Sequence, residues 1–203
     1  LTEGLSRRLA ARCGDRVRVE LAMTYGNPSI PDALERLRRD DVQRLLVLPM
    51  YPQYSATTTA SIFERVTAEL SHWRWLPELR MVNQYWEDES YIAAVADSVA
   101  AHWQTHGRKH LLFSFHSIPK RYFLAGDPYH CFCQGTARGI AARLGLAEGE
   151  WSIGFQSRFG REIEDAVERR VYEARGLPRD LAGDKLLVDG ELADAREHAG
   201  KGE

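Results

Sequence analysis

Three cysteines in 203 residues are too few and too odd in number for a disulfide framework, which argues against a secreted, cross-linked domain and makes the cytoplasm the expected compartment. Long apolar runs are also missing. The longest, such as Leu45 to Met50 and Leu111 to Phe115, fall far short of the roughly 20 residues that a membrane-crossing helix needs. Neither sign of charge dominates: 27 Lys and Arg stand against 29 Asp and Glu, a net charge of -2. Such a balance offers no electrostatic reason to expect nucleic acid as a partner. No Gly-rich strand-to-helix turn of the phosphate-binding or dinucleotide type occurs either, so a nucleotide cradle is disfavoured.

What is present is an ordinary globular composition, 44% hydrophobic, 28% charged and 10% aromatic, enough to bury a core. The charge and the aromatics are unevenly placed: residues 161–203 are crowded with charge and hold a single aromatic, Tyr172. That stretch reads as a divergent charged tail, a solvated helical segment or a partly disordered one. The chain opens without a Met on Leu1-Thr2-Glu3-Gly4-Leu5, already in helical rhythm with Leu5, Leu9 and Ala10 on one face. It is expected to be part of a longer protein.

Strand and helix patterns alternate along the body. Val17 to Met23 reads as a β-like run ending at Thr24-Tyr25-Gly26-Asn27-Pro28, and Ser29 with Pro31 opens a helix. Val42 to Leu48 is almost continuously apolar, as in a strand covered on both faces. Helices are expected near 59–70, 90–103 and 136–144, and further strands near 79–83, 110–115 and 151–155; apart from these, 185–189 in the tail offers a short strand. Strands separated by helices of this length imply parallel pairing through crossovers, hence an α/β fold.

In such folds ligands bind beyond the carboxyl ends of the strands. The residues there are Met50-Tyr51-Pro52-Gln53-Tyr54-Ser55 after one strand, Gln84-Tyr85-Trp86 after the next, His116-Ser117-Ile118-Pro119 after another and Gln156-Ser157-Arg158 after the last. Aromatics mixed with amides and hydroxyls suit a broad, flat, mostly apolar ligand with a few polar edges. For any one of these aromatics alone, packing under a loop is the plainer reading. His116, directly after Leu-Leu-Phe-Ser-Phe and shortly before a strand-ending Pro, should project from the sheet's end, where a neutral imidazole can take a proton or ligate a divalent metal.

Other ligand-type residues carry less. His102, His106 and His110 recur every four residues, but Gly107-Arg108-Lys109 should break the helix before His110, so a surface turn outranks a zinc site. His130-Cys131-Phe132-Cys133 packs three soft ligands together; a metal or iron–sulfur cluster would need a fourth, and Cys13 is too remote in sequence to supply it. Half-buried free thiols at a helix start are the preferred reading.

Four segments, Leu48 to Thr59 (LPMYPQYSATTT), Phe113 to Pro119 (FSFHSIP), Gly126 to Tyr129 (GDPY) and Gly154 to Glu162 (GFQSRFGRE), together and in this order closely resemble the bacterial ferrochelatases. The resemblance implies two Rossmann-like lobes with parallel sheets flanked by helices, incomplete here at both ends. Residues 1–75 would be the C-terminal part of the first lobe and 76–162 the second, with 163–203 the tail or the rest of the second. It implies a lyase of haem biosynthesis that inserts Fe(II) into protoporphyrin IX without an organic cofactor, iron being substrate. His116 would be proton acceptor or metal ligand, and Tyr25, Met50, Tyr51, Tyr54, Ser55, Gln156 and Ser157 would line the porphyrin cleft.

One departure concerns the family's acidic partner, expected in a motif like Gly-Phe-x-Ala-Asp-x-x-Glu. Ile163 to Glu168 replaces the family's expected Trp-Leu-x-Pro stretch, yet Gly190 to Glu197 keeps a Gly, Ala, Asp and Glu, making Glu197 the provisional counterpart for catalysis and metal. Chance spacing in an acid-rich tail is the competing reading. A non-catalytic porphyrin- or metal-binding fragment, and a chelatase for another tetrapyrrole or for Co(II), remain alternatives. Peripheral membrane contact, where porphyrin is delivered, is left open.

Overall fold

The computed structural model describes residues 1–156, 185–188 and 191–194, and the chain divides into two compact units, Leu1–Gln84 and Tyr85–Glu203. The fold is α/β, with parallel two-stranded sheets flanked by helices.

In the first unit, α1 (Thr2–Cys13) is followed by α2 (Ile30–Arg39), β1 (Arg44–Val47), α3 (Thr59–Leu70) and β2 (Glu78–Met81). The start of α2 is dictated locally: the Ser29 hydroxyl accepts the Asp32 N–H at 3.2 Å, Pro31 sits in the first turn where no donor is needed, and Arg36, Arg38 and Arg39 close the helix at its negative end. Of its buried residues, Ile30 and Leu34 meet Val66 and Leu70 of α3 over Leu45, Val47 and Leu79 of the sheet. Strands β1 and β2 run parallel in register, Arg44 opposite Glu78 through Val47 opposite Met81. The first unit, which extends to Gln84, thus holds both strands of this sheet.

Two expectations are corrected here. The apolar run Val42–Leu48 is not covered on both faces: α2 and α3 cover the face of Leu45 and Val47, while Leu46 is 63% exposed. Nor is Val17–Met23 a ladder strand; among the described residues it makes one isolated bridge, Met23 to Ser29. Side-chain charge holds this segment instead. Glu20 accepts from Arg18 at 2.8 Å and from Arg36 at 2.9 Å, and Arg18 also pairs with Asp40.

The second unit runs through α4 (Glu89–His106), β3 (Leu111–His116), α5 (Lys120–Leu124), α6 (Tyr129–Arg143) and β4 (Trp151–Gln156). Asp88 caps α4 by accepting the Ser90 and Tyr91 N–H groups at 3.0 Å, and Gly107, at φ 79°, ends it. Small residues Ala96, Ala137 and Ala141 let α4 and α6 approach over Phe113 and Ile153, with Ile140 filling the space between. Strands β3 and β4 are parallel, Leu111 opposite Trp151 through His116 opposite Gln156. Helix α6 begins at Tyr129, well before the expected Thr136.

Strands β5 (Lys185–Val188), within the expected short strand 185–189, and β6 (Glu191–Asp194) pair antiparallel. The intervening Asp189-Gly190 explains it: a two-residue link joins only antiparallel strands, and this dipeptide favours such links.

Candidate functional site

His116 is the last residue of β3 and is exposed, as its position before Ile118-Pro119 predicted. Its Nδ1 lies 2.8 Å from the Ser117 carbonyl oxygen, which can only accept, so in the neutral ring Nδ1 carries the proton and Nε2 the basic lone pair. The strand end is fixed across the ladder, where the Ser117 N–H donates to the Gln156 carbonyl at 2.8 Å. His116 and Gln156 are register partners across this ladder. Ser157 and Glu197 lie outside the described residues.

Beneath His116 sits a group that the sequence reading quoted only as part of a motif. Asp127, buried, accepts the Tyr129 N–H at 3.0 Å and starts α6. This turns the Tyr129 phenol toward a hydrogen bond with the Cys133 thiol and another with the His116 main chain. Burial, and then the neighbouring Cys133, pushes the phenol's pKa well up, so it stays neutral. Burial likewise pushes the Cys133 thiol up to about 12, outweighing its bond with Tyr129. The pair of half-buried thiols expected at this helix start is corrected accordingly. Two positions along the helix, about 200° of rotation, point the thiols to opposite sides, leaving Cys131 exposed and Cys133 fully buried.

The aromatics around this end are ordered by one another. His130 stacks on Phe155 at 5.0 Å, Phe123 meets the edge of His130 at 5.6 Å, and Phe115 lies 5.9 Å from Phe155. Trp86 stacks on Phe132 at 5.1 Å and Tyr85 packs edge-on against Tyr91, so these two serve packing in the second unit.

In the first unit the loop after β1 divides its residues between surface and scaffold. Met50 and Tyr51 are exposed and Tyr54 half-buried, whereas Ser55 is buried with its hydroxyl 2.9 Å from that of Thr57, and its carbonyl takes the Thr58 and Ala60 N–H groups. Ser55 thus builds the turn into α3. Tyr25 is 79% exposed but held: Arg65 of α3 donates to the Thr24 carbonyl at 3.1 Å and places its guanidinium 5.1 Å from the Tyr25 ring. Arg65 escaped the sequence reading because nothing in the spacing ties position 65 to position 24.

Among the described residues no three His, Cys, Asp or Glu side chains gather as a metal-holding group, and no helix is long and apolar enough to cross a membrane.

Residues 1–166 match the sequence model of the ferrochelatase family. A ferrochelatase of Thioalkalivibrio sulfidiphilus is 46% identical over 99% of this chain and 58% of its own length. One from Nitrosococcus oceani is 57% identical over 73% of the chain and 41% of its own, and ferrochelatase 1 of Shewanella oneidensis is 48% identical over 78% and 48%. The chain spans about half the length of the relatives it matches.

Proposed function

Because this chain belongs to the ferrochelatase family, we propose that it acts in haem biosynthesis as part of a lyase that inserts Fe(II) into protoporphyrin IX. Both partners are substrates, and no organic cofactor or iron–sulfur cluster takes part. Metallation forms four iron–nitrogen bonds and releases two pyrrole protons, with no change in oxidation state, so the protein must supply a proton acceptor and a rigid wall.

The observation that carries this reading is the exposed imidazole at the end of β3, its ring oriented by the bond between Nδ1–H and the Ser117 carbonyl. His116 Nε2 takes a pyrrole proton or presents iron to the ring. Glu197 is the acidic partner that takes the second proton or shares the metal. Tyr25 and the Met50, Tyr51 and Tyr54 loop shaped by Ser55 provide apolar and aromatic surface for the macrocycle, and Gln156 and Ser157 supply polar contacts. The protein works in the cytoplasm, with peripheral contact at the membrane where porphyrin is delivered.

The test is anaerobic assay of Fe(II) and protoporphyrin with the parent protein, His116→Ala and Glu197→Gln. Turnover in the parent, falling by about a hundredfold or more in His116→Ala, is expected for loss of a positioned acid–base group. An unchanged rate in His116→Ala sinks its role, and an unchanged rate in Glu197→Gln sinks that residue's alone. Porphyrin fluorescence quenching by the parent without turnover would replace the enzyme by a binding module.

A further inference from the structure

Helix α4 runs unbroken to His106, which puts His102 and His106 one turn apart on the same face. Their rings stand side by side, centroids 4.2 Å apart and planes 15° from parallel. His106 Nδ1 is 3.1 Å from the His102 carbonyl oxygen; that oxygen only accepts, so the neutral ring keeps its proton on Nδ1 and offers Nε2 as an electron pair. A ring N–H donated to a main-chain carbonyl is the arrangement that orients metal-ligating histidines and raises their basicity. His106 is exposed and His102 half-buried, and the i, i+4 spacing on one helix face is the one at which two histidines share a metal ion.

The surroundings accept a cation. The pair spans the end of an 18-residue helix, with His106 in the last turn, where the carbonyl end of the dipole is negative. Arg108, two residues beyond His106, is engaged elsewhere: it lies over the Trp103 ring at 5.5 Å and donates to both Glu150 carboxylate oxygens at 3.0 Å. The pair precedes the amino end of β3, whereas His116 closes the carboxyl end, so the two histidine sites belong to opposite ends of one strand.

We propose that His102 and His106 form a two-imidazole site for a divalent late first-row metal cation, of the Ni(II), Cu(II) or Zn(II) class, with water completing the coordination. Two nitrogen ligands without a carboxylate or thiolate favour these ions over Mg(II) or Ca(II).

The experiment is calorimetric titration of the untagged chain with Ni(II), alongside His102→Gln, His106→Gln and His116→Ala. One equivalent should be lost, or its affinity should drop by at least about tenfold, in each of the first two variants, and should persist in His116→Ala. With Cu(II), electron paramagnetic resonance should show the nitrogen couplings of two imidazoles in the parent and fewer in either variant. Titrations of His102→Gln and His106→Gln that superimpose on the parent overturn the site. His106, exposed in the final turn, tolerates substitution without threatening the fold, so its variant decides the matter even if His102→Gln is unstable.

Discussion

Gly135 lies flat against the Trp86 ring: a β-carbon at this position would stand 2.8 Å from Trp86 Cε3 and 2.9 Å from Cη2. Nothing in the backbone angle demands glycine there, so the requirement is one of space. The neighbouring side chains complete the clamp, with Phe132 stacked on the indole and the Thr136 hydroxyl donating to the Trp86 carbonyl at 3.2 Å. The segment that follows β2 is thereby fixed to the first half of α6.

Gly135→Ala should therefore destabilise the second unit by about 1–3 kcal/mol, the cost of overpacking a full site, despite the roughly 1 kcal/mol gain in helix propensity. Gly139→Ala is the control on the same helix. Its β-carbon would meet Ile92 Cδ1 at 3.2 Å, the end of a flexible side chain, so the propensity gain should offset the contact and leave stability near the parent's. Urea unfolding of the two variants checks the contrast; equal effects would remove Trp86 as the reason for the glycine.

Buried Cys133 and exposed Cys131 should differ sharply in reactivity. Iodoacetamide followed by peptide mass mapping is expected to label Cys131 in the native state and Cys133 only after unfolding. The pH dependence has a definite sign. A thiol raised to about 12 in the fold ionises more readily when unfolded, so its contribution is complete below about pH 8.5 and is lost as pH climbs toward 12. Replacing it, Cys133→Ala, should flatten the fall in stability over that alkaline window while lowering stability at neutral pH through the cavity left behind.

Glu20 gives the opposite dependence. Burial raises its carboxyl, but the hydrogen bonds from Arg36 and then Arg18 outweigh this and hold it below the ordinary value. The native state thus releases this proton more readily, and the stabilisation is present above about pH 4.5 and lost as acid titrates the folded carboxylate. Glu20→Gln should cost about 0.5–1 kcal/mol at neutral pH, discounted for the exposure of both arginines, and close to nothing at pH 3. Urea midpoints at the two pH values test it; a cost that persists in acid would mean that Glu20 acts through packing.

The local determinants of the fold were readable where one residue type forces the backbone. Ser29 with Pro31 marked the start of α2, Thr59 to Leu70 stood out by period, and Gly107 ended α4. Reading failed where tertiary contact decides. His130 to Gly135 is a poor helix former alone, yet it is helical because Phe132 and Gly135 lock onto Trp86 and Cys133 is buried. The apolar run ending β1 could not disclose that Leu46 stays exposed, since a sequence shows what a strand can bury and not how many layers cover it. At the site, His116 was legible from the apolar strand before it and the Pro after it. The hold of Tyr129 on the His116 main chain was not, because it depends on how the Gly126-Asp127-Pro128 turn folds back.

Arg65 shows how a residue outside the recognisable motifs can shape the site. Its two contacts, a hydrogen bond to the Thr24 carbonyl and a position beside the Tyr25 ring, are what the structure offers to hold that exposed ring in place. Arg65→Met keeps the aliphatic stem and removes both. Loss of one hydrogen bond and one exposed cation–π contact is worth about 1 kcal/mol, so local opening of residues 24–28 should become roughly fivefold more frequent. Amide hydrogen exchange should rise in that loop while α3 itself remains protected. Where Tyr25 supports the porphyrin, as proposed, the same variant should raise KM for porphyrin and leave kcat nearly unchanged, since the interaction holds substrate equally before and during metal insertion. Unchanged exchange at residues 24–28 would show that the loop is held by its own backbone, chiefly the Met23 N–H bonded to the Pro28 carbonyl at 2.8 Å, and that Arg65 merely rests on it.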